Sequence, residues 1–134
     1  MKNNYYKYLL MLFIVFISKE IYAQVDVSKL TGKKWKLDQF YGNKIRYNNP
    51  QSDSERHEYM SDGTFRISRI DNKIYATMNY ALKNDSLIFL VNGVVKLRYK
   101  ITYLNANCLI YTGFHIDNTT NKKVITEFRY IPQK

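Results

Sequence analysis

The chain has 134 residues, with 21 Lys and Arg against 11 Asp and Glu, a formal net charge of +10 and one cysteine. That length suits a single domain behind a short leader, not two domains. One cysteine excludes an intramolecular disulfide, and together with two histidines it matches no metal-ligand spacing.

Lys2 and Lys7 flank the start of the chain, and Leu9 to Ile17 is an unbroken run of nine apolar residues. The stretch from Ser18 to Ala23 is more polar and ends in Ile-Tyr-Ala. This is the layout of a secretory signal peptide cut after Ala23. Nine apolar residues are too few for a spanning helix, which needs about 20, so no integral membrane anchor is expected. The expected mature domain is residues 24–134, placed in the periplasm or secreted. Without Lys2, Lys7, Lys19 and Glu20 it keeps 18 basic and 10 acidic residues, a net +8. Such a charge keeps a protein soluble and also favours an anionic partner.

After one helical turn at Val27 to Thr31, apolar and polar residues alternate with period two, broken by short turns. Strands are expected at Lys34–Tyr41, Arg56–Met60, Thr64–Ile70, Ile74–Leu82, Leu87–Val91, Val94–Leu104, Cys108–Ile116 and Lys123–Ile131. Asn92-Gly93 is the strongest hairpin signal, because a type I′ turn needs positive φ at both positions. Asn43 to Glu55 is the one long polar connection. Eight hairpin-linked strands are best satisfied by an up-and-down antiparallel barrel, since closure removes exposed edges. A two-sheet sandwich is the alternative.

In Val94–Leu104 the alternation sets Val95, Leu97, Tyr99, Ile101 and Tyr103 against Lys96, Arg98 and Lys100. The first set must face inward, because a slip of one residue buries the cations. The same reasoning turns Trp35, Leu37 and Gln39 inward, then Phe65, Ile67 and Arg69, then Ile74 to Leu82 at alternate positions, and Val124, Thr126, Phe128 and Tyr130.

The pattern resembles the bacterial lipocalin-like family, a branch of the calycin-type barrels. Leu30-Thr31-Gly32-Lys33-Lys34-Trp35-Lys36-Leu37 is similar to its opening, and Asp62-Gly63-Thr64-Phe65 to its recurrent hairpin into an aromatic strand residue. Tyr99-Lys100-Ile101, then Leu104 and Leu109-Ile110, resembles its late hairpin, and Arg129 stands where such barrels lay an arginine across the first-strand Trp. The resemblance implies a lipocalin-like barrel with a large loop over one mouth, here Asn43 to Glu55.

Catalysis finds little support. His57 and Glu58 are adjacent on a strand and point to opposite faces. Cys108 and His115 are an odd number of residues apart on another, so they do so too. There is no Gly-rich phosphate loop, and no cofactor is expected. The cations of Val94–Leu104 lack aromatics on their own face, which argues against nucleic acid. The expected function is therefore non-enzymatic. One reading is a monomeric exported barrel binding a small hydrophobic or amphipathic molecule, with Arg69, Tyr80, Tyr99, Tyr103 and Tyr47 as ligand contacts. Ile45 and Tyr47 would fold inward over the mouth, and Lys44, Arg46 and Arg56 would meet an anionic group. The other reading is a protein-interaction or inhibitor module of the cell envelope that uses the basic surface or the long loop. Two states of the interior remain open: a hollow barrel, or a filled one whose Tyr hydroxyls bond to each other.

Overall fold

The computed structural model describes residues 25–48 and 54–133. The leader expected over residues 1–23 lies outside them, as does the middle of the long connection at 49–53. A single helical turn, α1 (Val27–Leu30), precedes nine strands: β1 (Lys34–Gly42), β2 (Ile45–Tyr47), β3 (Glu55–Tyr59), β4 (Thr64–Arg69), β5 (Ile74–Lys83), β6 (Ser86–Val91), β7 (Val94–Leu104), β8 (Leu109–Ile116) and β9 (Lys123–Pro132). Every ladder is antiparallel, and β1 pairs with β9 to close an eight-stranded up-and-down barrel from β1 and β3–β9. The short β2 adds to the upper half of β1.

The turns follow from residues that tolerate positive φ. Asn92 and Gly93 both adopt it, at 52° and 75°, as a type I′ hairpin requires. Asn43 and Lys44 do likewise, at 47° and 69°. They convert the start of the expected long loop into a tight β1–β2 hairpin, which is a correction to the sequence expectation.

Side-chain alternation holds within each strand until a bulge interrupts it, because one extra residue reverses every face beyond it. On β1 the register slips at Asp38, so Leu37 stands opposite Tyr130 but Gln39 stands opposite Arg129. Gln39 therefore faces outward, and Phe40, opposite Phe128, takes the inner position. On β7 the slip at Thr102 puts Tyr103 opposite Ile110, and a slip at Lys96 puts Val95 opposite Leu90. Tyr103 is 51% exposed on the outer face. On β5 the slip at Tyr75 takes Ile74 out of phase with Ala76. Gln39, Val95, Tyr103 and Ile74 are thus four corrections with one cause. Thr112 also faces outward, beside the inward Tyr111.

The barrel is packed at one end. Leu30, Trp35, Tyr59, Leu87 and Leu109 are fully buried there. The Trp35 indole Nε1 donates to the carbonyl of Leu30 at 2.9 Å, which fixes α1 across the base. Asp26 caps the turn by accepting from the Ser28 backbone N–H. Arg129 does not lie over Trp35, contrary to expectation. It is on the outer face, 4.9 Å from the Tyr41 ring, and the cation beside Trp35 is Lys33 at 5.2 Å.

Candidate functional site

Inward side chains form successive levels from base to mouth, packed in the lower two. Above the base, Tyr59, Tyr111 and Tyr130 pack as a buried tyrosine cluster, with Tyr111 and Tyr130 stacked at 5.3 Å. The Tyr111 hydroxyl donates to that of Tyr130 at 2.8 Å. The Tyr59 hydroxyl is buried outside hydrogen-bonding geometry, although Tyr111 is close enough to influence it. Burial pushes the hydroxyls of Tyr59, Tyr111 and Tyr130 above their usual range, so all three stay protonated. His57 lies among them, its ring 5.0 Å from Tyr130 and 5.2 Å from Phe65. Its Nδ1 is buried and unpaired. Burial lowers its pKa to about 4, so the imidazole is neutral at physiological pH.

The middle level is a layer of aromatic rings. Phe65 and Phe89 meet edge to face at 4.8 Å, Phe89 reaches Tyr99 at 6.0 Å, and Tyr99 reaches Tyr111 and Phe128 at 4.9 and 5.6 Å. Tyr99 spans from β7 to β8 because Gly113 has no side chain to stop it. A methyl group on Gly113 would fall 2.5 Å from the Tyr99 ring.

Above this floor the inward side chains are less buried. Leu97 stands directly opposite Phe89, which is 3% exposed, yet Leu97 itself is 47% exposed. Phe40, Ile67, Met78 and Phe128 share the inner surface and are only partly buried. Tyr47, opposite Phe40 with ring centroids 5.8 Å apart, is half exposed at the rim. The open end is therefore a mouth of aliphatic and aromatic side chains over an aromatic floor. Among the described residues, one end of the interior is packed and the inward side chains toward the other end are only partly buried.

Of the five residues singled out from sequence, two meet at this mouth: Tyr47 on its rim and Tyr99 in its floor. Tyr80 is buried toward the closed end, where its hydroxyl donates to the Met60 carbonyl at 2.8 Å and pins the β3–β4 turn. Arg69 is exposed at the end of β4, opposite Glu55. Nearby, burial and Glu55 push the Tyr75 hydroxyl up to about 12. Tyr103 is outside the barrel. Sequence reasoning missed Phe40, Met78, Leu97 and Phe128 as mouth residues because it sought polar contacts among inward positions.

The expected cations do not converge on the mouth. Arg56 is buried, with Nε donating to Gln133 Oε1 at 2.9 Å and Nη1 to the Glu55 carbonyl at 2.8 Å. Arg46 stands opposite Tyr41 on the outer face. Lys44 lines a separate outer groove of about 510 Å³ with Tyr41, Thr112, Ile125, Glu127 and Arg129. There Arg129 Nε donates to Glu127 Oε1 at 2.6 Å, so the groove's strongest cation is already neutralised. Among the described residues no three His, Cys, Asp or Glu side chains group to hold a metal, and no helix is long and apolar enough to cross a membrane. Cys108 sits just before β8, its thiol pushed up by burial away from the thiolate range of a nucleophile.

No family model matches the chain, and a search of curated proteins gives no match. Among solved structures the chain is similar to bovine odorant-binding protein in complex with its natural ligand, at 13% identity over 83% of this chain and 76% of that one, with a TM-score of 0.45. It is similar to the same protein from bovine nasal mucosa at 16% identity, 83% and 76% coverage and a TM-score of 0.47. A third match is the bovine protein with a selenium-containing odorant, at 14% identity, 87% and 78% coverage and a TM-score of 0.45.

Proposed function

We propose that this protein is a non-enzymatic, exported binder of a small hydrophobic or amphipathic molecule, held in the open half of the barrel. The observation that carries the reading is Leu97: an inward-facing leucine opposite a buried phenylalanine, half exposed above an otherwise packed interior. Apolar surface kept inside a fold and out of contact is unspent hydrophobic free energy, about 25 cal/mol per Å² recovered when a ligand covers it. Ligand sites of this kind are mostly apolar, with few polar groups. The Tyr99 and Tyr47 hydroxyls supply the orienting contacts. The sequence of residues 1–23 supports export by a cleaved leader.

Native mass spectrometry of the protein recovered from the cells that make it reads both claims. A mature chain starting at Gln24 with an added small-molecule mass is expected. Leu97→Lys with Met78→Lys should lose that mass and the binding of an apolar fluorescent probe, while the folded emission of Trp35 is retained. Probe and carried ligand both unaffected by these changes would overturn the reading.

A further inference from the structure

The barrel wall has a seam. The β7–β8 ladder stops at Lys100↔Thr112, yet β7 continues upward to Val94 and β8 to Ile116. Above that point β7 pairs only with β6 and β8 only with β9 among the described residues. The Tyr99 ring, lying over Gly113, closes the bottom of the seam. From Val94 to Arg98, β7 has no ladder partner on the side of the opening, so the backbone N–H and C=O groups directed there lack a strand to pair with, in a spacing that the slip at Lys96 interrupts once. Val94 and Val95 are 57% and 49% exposed at the upper end of this edge. An edge like this is a template for another strand.

The side chains around the seam choose the occupant. A groove of about 300 Å³ lies at its foot, lined by Arg98, Lys100 and Lys123 together with Thr112, Phe114 and Ile125, and no acidic side chain is in its lining. Lys100 has an exposed ion-pair partner in Asp85, at 3.4 Å, while Arg98 and Lys123 carry the rest of the positive charge. Phe114 is 66% exposed, with the Lys123 ammonium 4.1 Å above its ring. A second copy of this chain is a poor occupant, because an antiparallel pairing of Val94–Arg98 with itself centres on Lys96 and crowds the cations Lys96, Arg98 and Lys100 of both copies together. A lipid surface is poor too, because unpaired backbone groups cannot enter hydrocarbon without loss of their hydration.

We propose that the seam docks an extended acidic segment of a protein partner. The segment adds as a strand along Val94–Arg98, with its carboxylates toward Arg98, Lys100 and Lys123 and its alternate apolar side chains toward Leu97. Five residues of edge span about 17 Å at the usual strand rise. Main-chain pairing then gives affinity and the alternating side chains give selectivity, as in other cases of strand addition. The cationic groove lies on the outer face, and Leu97 is the one side chain this site shares with the mouth.

The test uses the protein expressed from its full-length chain and an acetylated, amidated Glu-Val-Glu-Val-Glu-Val peptide, followed by calorimetry and amide chemical shifts. Saturable binding is expected, with shifts concentrated at 94–98 and 113–116. Two further peptides carry N-methyl groups on every valine or on every glutamate, and one of them should bind about tenfold more weakly because it blocks the edge. Arg98→Glu with Lys123→Glu should weaken binding by about tenfold or more. Both sites are surface positions, so the melting temperature serves as the folding control. No saturable binding at about 1 mM protein overturns the proposal. So does equal binding of both N-methylated peptides, which would leave only charge attraction. Binding to phosphatidylglycerol vesicles without peptide binding would overturn it in favour of a lipid surface.

Discussion

Replacing Gly113 with alanine should destabilise the protein through one neighbour. The added methyl falls 2.5 Å from Cδ1 and 2.6 Å from Cε1 of Tyr99, far inside van der Waals contact. The ring cannot swing aside freely, because Phe89, Tyr111 and Phe128 hold it with centroids 6.0, 4.9 and 5.6 Å away. Overpacking of this kind costs about 1–3 kcal/mol. Against it stands the about 0.5–1 kcal/mol gained when alanine replaces glycine in a strand. The net loss should be up to about 2.5 kcal/mol, with a midpoint of about 1 kcal/mol. In a domain of this size each kcal/mol lowers Tm by about 4–8 °C. Urea unfolding followed by Trp35 emission reads it directly, since Trp35 is the only tryptophan and is fully buried. In a Tyr99→Ala background the obstacle is gone, and Gly113→Ala should stabilise by about 0.5–1 kcal/mol. Equal destabilisation in both backgrounds would refute the reasoning and place the cost in the β8 backbone.

Two other predictions concern the packed end. Tyr130→Phe leaves the Tyr111 hydroxyl without its 2.8 Å acceptor and should cost about 1–3 kcal/mol, whereas Tyr59→Phe removes a buried hydroxyl outside hydrogen-bonding geometry and should be neutral or stabilising; their urea midpoints should fall on opposite sides of the wild type or nearly so. His57 has its folded pKa lowered to about 4 against an ordinary 6.5, so the unfolded chain binds the extra proton and stability falls as pH drops through that window. Between pH 7 and 5 the loss should be about 2 kcal/mol, and His57→Phe should remove most of that slope.

The strands were legible because their turns are written in residues with a local mechanism: Asn and Gly at positive φ, and Asp side chains accepting from backbone N–H groups two residues on, as at Asp62 and Asp71. Closure followed from the run of short hairpins. The faces of the strand ends were not legible, because a bulge is a property of the ladder and not of one strand. Nothing in Val94–Leu104 marks Thr102 as the extra residue, so Tyr103 reads as inward by alternation and stands outward in the barrel. The seam was hidden for the same reason, since the alternation of β7 is equally good whether or not β8 follows it to the top. The mouth was half legible: Tyr47 and Tyr99 were found as tyrosines with a polar tip, while Leu97 looked like any core leucine.

The division of the interior into a packed base and an open mouth also bears on how such a chain can change over generations. Most mutations destabilise, and a protein tolerates only as many as its margin of stability allows. Here the residues that hold the fold, among them Leu30, Trp35, Tyr59 and Leu109, are different residues from Leu97, Met78, Phe40 and Tyr47 at the mouth. Exchanging a half-exposed mouth side chain removes few contacts and draws little on that margin. Under the proposed function, the lineage can therefore sample new ligand specificities at the mouth at small risk to folding, while the base stays under tight constraint.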